Sequence, residues 1–293
     1  MSNKQKHGSY VVITPARNEG RGIEETIVRM ASQSVLPSQW VIVNDGSQDE
    51  TAEIIEEYSR KYCWITVVHR PDRGFRSPGG GVVEAFMDGY RRLAPRDWEY
   101  IVKFDADLST DPDYFERCLA RFRVEPKLGV GGGTVYHLAG EEIVTEPNPV
   151  FHVRGATKIY RRACWNALGG LLAAPGWDTL DEVKANMLGW QTRTFADVRV
   201  LQRRPTGSND GVWRDSVKNG RADYICGYHP FFMFAKCLKR LFQKPYAIDS
   251  LGHIYGFVAA YWQGISQVND PALICYLRRQ QLRRIFGMKT IWT

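Results

Sequence analysis

Apolar and polar positions in the first third of the chain alternate between two periods. Short runs rich in β-branched and aromatic residues, YVVITPA (10–16), WVIVND (40–45), WITVVH (64–69) and YIVKFDAD (100–107), predict strands. Between them, residues 22–33, 50–62 and 82–93 carry apolar side chains at helical spacing. Strands that are apolar on both faces and alternate with helices imply an α/β fold, a mostly parallel sheet flanked by helices. Ligands of such sheets gather at the carboxyl ends of the strands. The segments at those ends, TPARNE, NDGSQDET, HRPDRGF and DADLSTD, are all polar, charged or turn-forming. One edge therefore collects Arg17, Glu19, Asp45, Asp49, Arg73, Arg76, Asp105 and Asp107.

Several of these have local explanations. Asp49 suits a helix N-cap or first-turn carboxylate, and Asp45 before Gly46 suits a turn. Asp111 before Pro112 is expected to cap the next helix. Asp105 and Asp107 pose a sharper problem. On a continued strand both point the same way, and two like charges side by side need a cation, a proton or open water.

From residue 222 onward the pattern changes to aromatic and aliphatic clusters mixed with lysine and arginine, as in PFFMFAKCLKR and CYLRRQQLRR. No apolar run approaches the roughly 20 residues of a membrane-spanning helix. The pattern fits helices lying on an anionic membrane surface. Packing of these helices on the preceding domain, with solvated arginines, is the competing explanation. The start, MSNKQKHGSY, lacks the apolar core of a secretory signal, so a cytoplasmic protein is expected, working at the inner face of the cytoplasmic membrane.

Composition narrows the choice of partner. The 293 residues can bury one large core, and the formal charge of +7 favours an anionic ligand. The six cysteines are scattered without a C-x-x-C pair, which argues against a structural zinc site or a disulfide framework. A nucleic-acid-binding role is disfavoured because the ligand edge is as acidic as it is basic.

VVITPARNEG, WVIVNDGSQDET and KFDADL, in this order and strand context, resemble the inverting family 2 glycosyltransferases of GT-A fold, including sugar transferases of bacterial polysaccharide assembly. The resemblance is strong from about residue 10 to 107 and looser to about 205. It implies a catalytic domain over 1–221, with a donor half at about 8–107 and an acceptor half at about 108–221, followed by a helical extension over 222–293. It also implies transfer of a sugar from a nucleotide diphosphate donor, a UDP-sugar by family preference, to a hydroxyl of a glycan or lipid-linked glycan.

By the same resemblance, Asp107 is the direct ligand of a divalent cation, Mg²⁺ or Mn²⁺, and Asp105 faces the ribose or the water shell of the metal. Pro15, Arg17 and Glu19 wrap the nucleobase, and Asp45 accepts a hydrogen bond from the base. Arg73 and Arg76 approach the diphosphate, and Arg203 or Arg204 closes over it. The loop 70–81 departs from the commonest family pattern, carrying three consecutive glycines, Gly79 to Gly81. Inversion needs a carboxylate base beside the acceptor hydroxyl. Two candidates stand in GWDTLDEV: Asp178, which has the familiar distance to Gly189, and Asp181, whose pairing with Glu182 looks more like the usual motif. Asp181 is the first choice. His152, Trp165 and Trp177 are candidates for the acceptor side. A non-catalytic nucleotide-sugar binding module and a sugar nucleotidyltransferase are the alternative functions. The first would lack the metal pair or the base, and the second would carry a glycine-rich phosphate loop after the first strand.

Overall fold

The computed structural model describes residues 8–75, 79–94, 97–139, 142–145, 148–203, 211–241 and 247–292. The expected strands and helices are present. β1 is Tyr10–Ala16, β2 Gln39–Asp45, β3 Ile65–Arg70 and β4 Tyr100–Phe104. The helices between them are α1 (Gly20–Ala31), α2 (Thr51–Lys61) and α3 (Gly80–Arg91). After β4 come β5 (Leu108–Thr110), α4 (Tyr114–Val124), β6 (Leu128–Ala139), β7 (Glu142–Thr145) and β8 (Thr157–Arg161). Then follow α5 (Arg162–Leu168), α6 (Trp177–Met187) and β9 (Gln191–Gln202).

The sheet runs β3-β2-β1-β4-β8-β6-β9-β5, with β7 paired to β6. It is parallel from β3 to β4 and again between β6 and β9. Antiparallel pairs join β4 to β8, β8 to β6 and β9 to β5. Strand alternation divides the apolar side chains between two cores. Tyr10, Val12, Trp40, Ile42 and Val102 meet α1, α2 and α4 on one face. Val11, Ile13, Val41, Val43 and Ile101 meet α3 and α5 on the other. Burial on both faces explains why these strands read as continuous apolar runs.

Two local expectations change. β4 stops at Phe104, so Asp105, Ala106 and Asp107 form a turn and strand alternation does not govern them. The helix after Pro112 begins only at Tyr114. Asp111 serves it through its backbone carbonyl, which accepts from the Tyr114 amide at 3.1 Å.

Four further helices, α7 (Val212–Ile225), α8 (Pro230–Arg240), α9 (Ile248–Trp262) and α10 (Pro271–Ile285), form the extension. The expected boundary at 221/222 falls inside α7. α10 supports the catalytic side: Leu273 and Leu277 pack with Leu180 and Val183 of α6, and Asp270 lies 3.3 Å from Lys184.

Candidate active site

Because β1 to β4 are parallel, their carboxyl ends deliver four loops to one edge. Asn18 begins the first loop's turn with φ 55°, a left-handed conformation that asparagine tolerates. Its amide donates to Ser47 Oγ at 3.0 Å, and its side-chain oxygen accepts from the Gln48 amide at 2.9 Å. Asp49 ties the same two loops together. It accepts from the Gly20 amide at 3.0 Å and from the Thr51 amide at 3.1 Å. Burial alone would raise its pKa; the bonds from Thr51 and Gly20 outweigh that and hold it below the usual carboxylate range. The N-cap position expected of Asp49 belongs to Glu50; Asp49 stands one residue before it, accepts from the first amide of α2 and also fastens α1. Pro15 ends the apolar part of β1, and Glu19 accepts the first amides of α1 through its carbonyl.

Asp45 is buried at the end of β2, and both of its carboxylate oxygens are engaged, one by Arg70 and one by Arg73. Arg70 continues to Asp88 at 2.7 Å and Arg73 to Glu84 at 2.8 Å. Arg17 donates to the Asp45 carbonyl at 2.9 Å and to Asp72 at 2.6 Å. The glycine run has a packing reason here. A Cβ at Gly81 would lie 2.8 Å from the Arg73 guanidinium, and one at Gly79, whose φ is +73°, would lie 2.7 Å from Pro175 Cα. Arg76 and Arg204 lie outside the described residues.

The acidic turn is clamped from α1. The Thr26 hydroxyl sits 2.9 Å from the carbonyls of both Ala106 and Leu108, donating to one at a time. Asp105 pairs with the ammonium of Lys103. Asp107 is buried with one long contact, from Gln202 at 3.5 Å. Burial and the neighbouring Asp105 push it up to about 6. The Asp107 carbonyl accepts from the Arg203 amide at 3.2 Å, and the Arg203 guanidinium pairs with Glu25 of α1.

Among the described residues no three His, Cys, Asp or Glu side chains come together as a metal-binding group. The turn nevertheless fits a divalent cation. It offers hard carboxylate oxygens, one of which belongs to a buried acid that forms no direct ion pair among the described residues, and such a cation takes its other ligands from phosphate and water.

Lys103 connects this turn to α6. It stands directly across from Lys158 in the β4–β8 register, and the Trp177 ring lies 5.5 Å from each ammonium. Lys158 is held by Asp181 at 2.7 Å, by Glu182 at 2.9 Å and by the Asp178 backbone carbonyl. Burial would lower its pKa, but the Asp181 and Glu182 carboxylates raise it and keep it charged. Tyr160 donates to the second Asp181 oxygen at 2.5 Å. Glu182 also accepts from the Val153 amide at 2.6 Å and bonds His152 at 2.9 Å.

Asp181, the first choice for the base, is only 4 % exposed, with Lys158 donating to one oxygen and Tyr160 to the other. Asp178, in the first turn of α6, keeps a half-buried carboxylate and gives Lys158 only its carbonyl. The backbone of Gly155 approaches it so closely that a Cβ there would lie 3.2 Å from its Oδ2. His152 belongs to the buried acid cluster through Glu182. Trp165 is core, packed edge-on against Phe86 and Tyr160, and Trp177 covers the two lysines.

Lys158, Tyr160, Arg70 and Asp72 were not singled out from the sequence. A lysine inside the apolar strand TKIYR is a usable signal, since a lysine there must be buried and therefore paired.

The chain matches the model of the family "Glycosyl transferase family 2" over residues 11–170. It is 29% identical over 116 residues to the poly-beta-1,6-N-acetyl-D-glucosamine synthase of Staphylococcus epidermidis, covering 40% of this chain and 26% of that protein. The match thus spans about a quarter of the relative's length. In three dimensions it resembles the mannosyltransferase PcManGT from Pyrobaculum calidifontis, in complex with GDP-Man and Mn2+, at TM-score 0.58. That match has 15% identity and covers 97% of this chain and 88% of the other. S. aureus TarS 1-349 in complex with UDP-GlcNAc gives TM-score 0.53 at 18% identity, covering 89% and 74%. The fold is the GT-A arrangement expected from the sequence.

Proposed function

The chain belongs to glycosyl transferase family 2, and from that premise we propose that it transfers a sugar, with inversion, from a nucleoside diphosphate donor to a hydroxyl of a glycan or lipid-linked glycan. The donor is a UDP-sugar, in keeping with the UDP-GlcNAc bound by one structural relative. The enzyme works in the cytoplasm at the inner face of the membrane. The observation that carries the reading is the cross-strand pair Lys103 and Lys158 under Trp177, because it sets the acidic turn 105–107 beside the helix that presents Asp178.

The residue roles in this reading are those the family resemblance implies, and the placement of the residues supports them. Arg17, Glu19 and Pro15 form the loop that wraps the nucleobase, and Asp45, held rigid by Arg70 and Arg73, offers remaining lone pairs to a base N–H. Arg73 lies next to the glycine turn, where it can share its charge with the diphosphate. Arg76 and Arg204 belong to the same phosphate-binding set by sequence. Asp107 and Asp105 would hold Mg²⁺ or Mn²⁺, which when bound neutralises charge developing on the leaving diphosphate. Asp178 accepts the proton of the attacking hydroxyl, and Asp181, Glu182, Lys158 and Tyr160 fix α6 so that Asp178 is held in position.

Calorimetric titration with UDP, GDP, CDP and dTDP, each with and without Mn²⁺, tests this. Metal-dependent binding of one nucleotide is expected, with UDP first. No binding of any, with or without metal, overturns the proposal.

A further inference from the structure

The extension carries a surface that the transfer reaction does not use. On its inner side, Asp223 of α7 receives Lys236 of α8 at 2.7 Å and lies 3.4 Å from His253 of α9. The seam between α8 and α9 is filled by Met233, Cys237 and Phe257. α7 and α9 approach backbone to backbone: a Cβ at Gly220 would lie 2.0 Å from the His253 carbonyl oxygen, and one at Gly256 would lie 2.1 Å from that of Val217. An ion-pair cluster, an apolar seam and two glycines thus turn inward, and the outer sides of α8 and α9 are left exposed.

Those sides are apolar. Phe231, Phe234 and Leu238 recur at helical spacing on α8, the first 70 % exposed. Ile248, Leu251 and Tyr255 repeat the pattern on α9, which ends in Trp262 at 82 % exposure. Lys236 and His253 both point to Asp223, so on each helix the stripe lies on the side away from Asp223. Trp213 of α7 extends the surface by packing on Tyr255 at 6.0 Å. A group of large exposed apolar side chains of this kind marks an interaction surface. Cations lie on the same helices: Arg214, next to Trp213, and Arg221 are exposed on α7, and Lys239 is exposed next to Leu238 on α8.

We propose that this face seats the protein on an anionic lipid bilayer, with the aromatic and aliphatic stripes in the headgroup region and the arginines and lysines of the same helices at lipid phosphates. No helix among the described residues is long and apolar enough to cross a membrane, so the helices lie in the interface plane. Charge selects the occupant. A second copy docked on this face would bring like charges together in a protein of formal charge +7, whereas anionic headgroups complement them. The inference deepens the placement proposed for the acceptor, but it rests on separate observations.

The test is co-sedimentation of the full chain with vesicles of phosphatidylcholine alone or of phosphatidylcholine with phosphatidylglycerol, without nucleotide sugar. Failure here leaves the transfer reaction standing. Partition onto the anionic vesicles should exceed that onto neutral ones by on the order of tenfold, and salt should weaken it. The variant Phe231→Ser/Phe234→Ser/Leu251→Ser should lose on the order of tenfold in partition while keeping its thermal midpoint, because the replaced side chains are exposed. The second variant, Arg214→Glu/Arg221→Glu, should lose the preference for phosphatidylglycerol. Equal binding of wild type to both vesicles, no binding, or undiminished binding of the triple variant overturns the proposal. So does a wild-type dimer in light scattering that the triple variant lacks, since it would assign the face to a second copy.

Discussion

Lys103 and Lys158 face each other across β4 and β8, and Trp177 covers both ammonium groups. Like charges opposed on neighbouring strands are unfavourable unless each has its own acid. They divide the acids of the site between them: Lys103 takes Asp105, while Lys158 takes Asp181 and Glu182. Among the described residues, Asp107 and Asp178 are acids near the pair that form no direct ion pair with either lysine, and they are the two the proposed chemistry requires.

Asp178→Asn should therefore lower kcat by about 10²- to 10⁴-fold while leaving the affinity for nucleotide diphosphate near wild type. The check is steady-state kinetics alongside calorimetry. A weakened nucleotide affinity with an unchanged kcat would point to a role on the donor side instead.

Lys158→Met should be strongly destabilising, by about 3 to 5 kcal/mol, because it leaves Asp181 as a buried carboxylate without its cation and Glu182 with His152 alone. Chemical denaturation measures this. A change below about 1 kcal/mol would show that the acids are solvated or paired in another way.

Asp107→Asn should separate binding from stability. Asp107 is held up at about 6 by burial and by Asp105, so its folded pKa lies above the ordinary value of 3.8. Such a group costs stability as pH rises from its ordinary value through about 6 and stays unfavourable above it. In metal-free buffer at neutral pH, the asparagine variant should be more stable by on the order of 2 kcal/mol. The same variant should lose metal-dependent nucleotide binding. A less stable variant in chelator would contradict the placement of this carboxylate.

His152 contributes with the opposite sign. Burial would lower its pKa, but the Glu182 carboxylate outweighs burial and raises it above 6.5. Its stabilising contribution is complete below that ordinary value and is lost as pH rises through the folded one. The wild-type denaturation midpoint should fall over that interval, and His152→Gln should flatten this part of the profile.

Gly220→Ala should cost about 3 kcal/mol, since the new methyl group would meet the His253 carbonyl on the neighbouring helix. Thermal or chemical unfolding reads the loss directly. An unaffected midpoint would mean that α7 and α9 are not in backbone contact.

The sequence alone determined the elements of the donor half. Strands buried on both faces must be apolar throughout, and the loops at their carboxyl ends must then carry the polar chemistry, so periodicity and loop composition locate both the sheet and its ligand edge. The position of Asp45, Asp105 and Asp107 at that edge was legible for that reason. The acceptor side was not, because spacing along a helix places Asp178 and Asp181 on one face without saying which of them has a partner. That depends on Lys158 and Tyr160, which arrive from a strand 21 to 23 residues before Asp181 and engage both of its oxygens. The engagement of Asp45 by Arg70 and Arg73, and the outward turn of the apolar stripes on α8 and α9, have the same origin. They depend on which distant side chains meet, and only packing in three dimensions decides that.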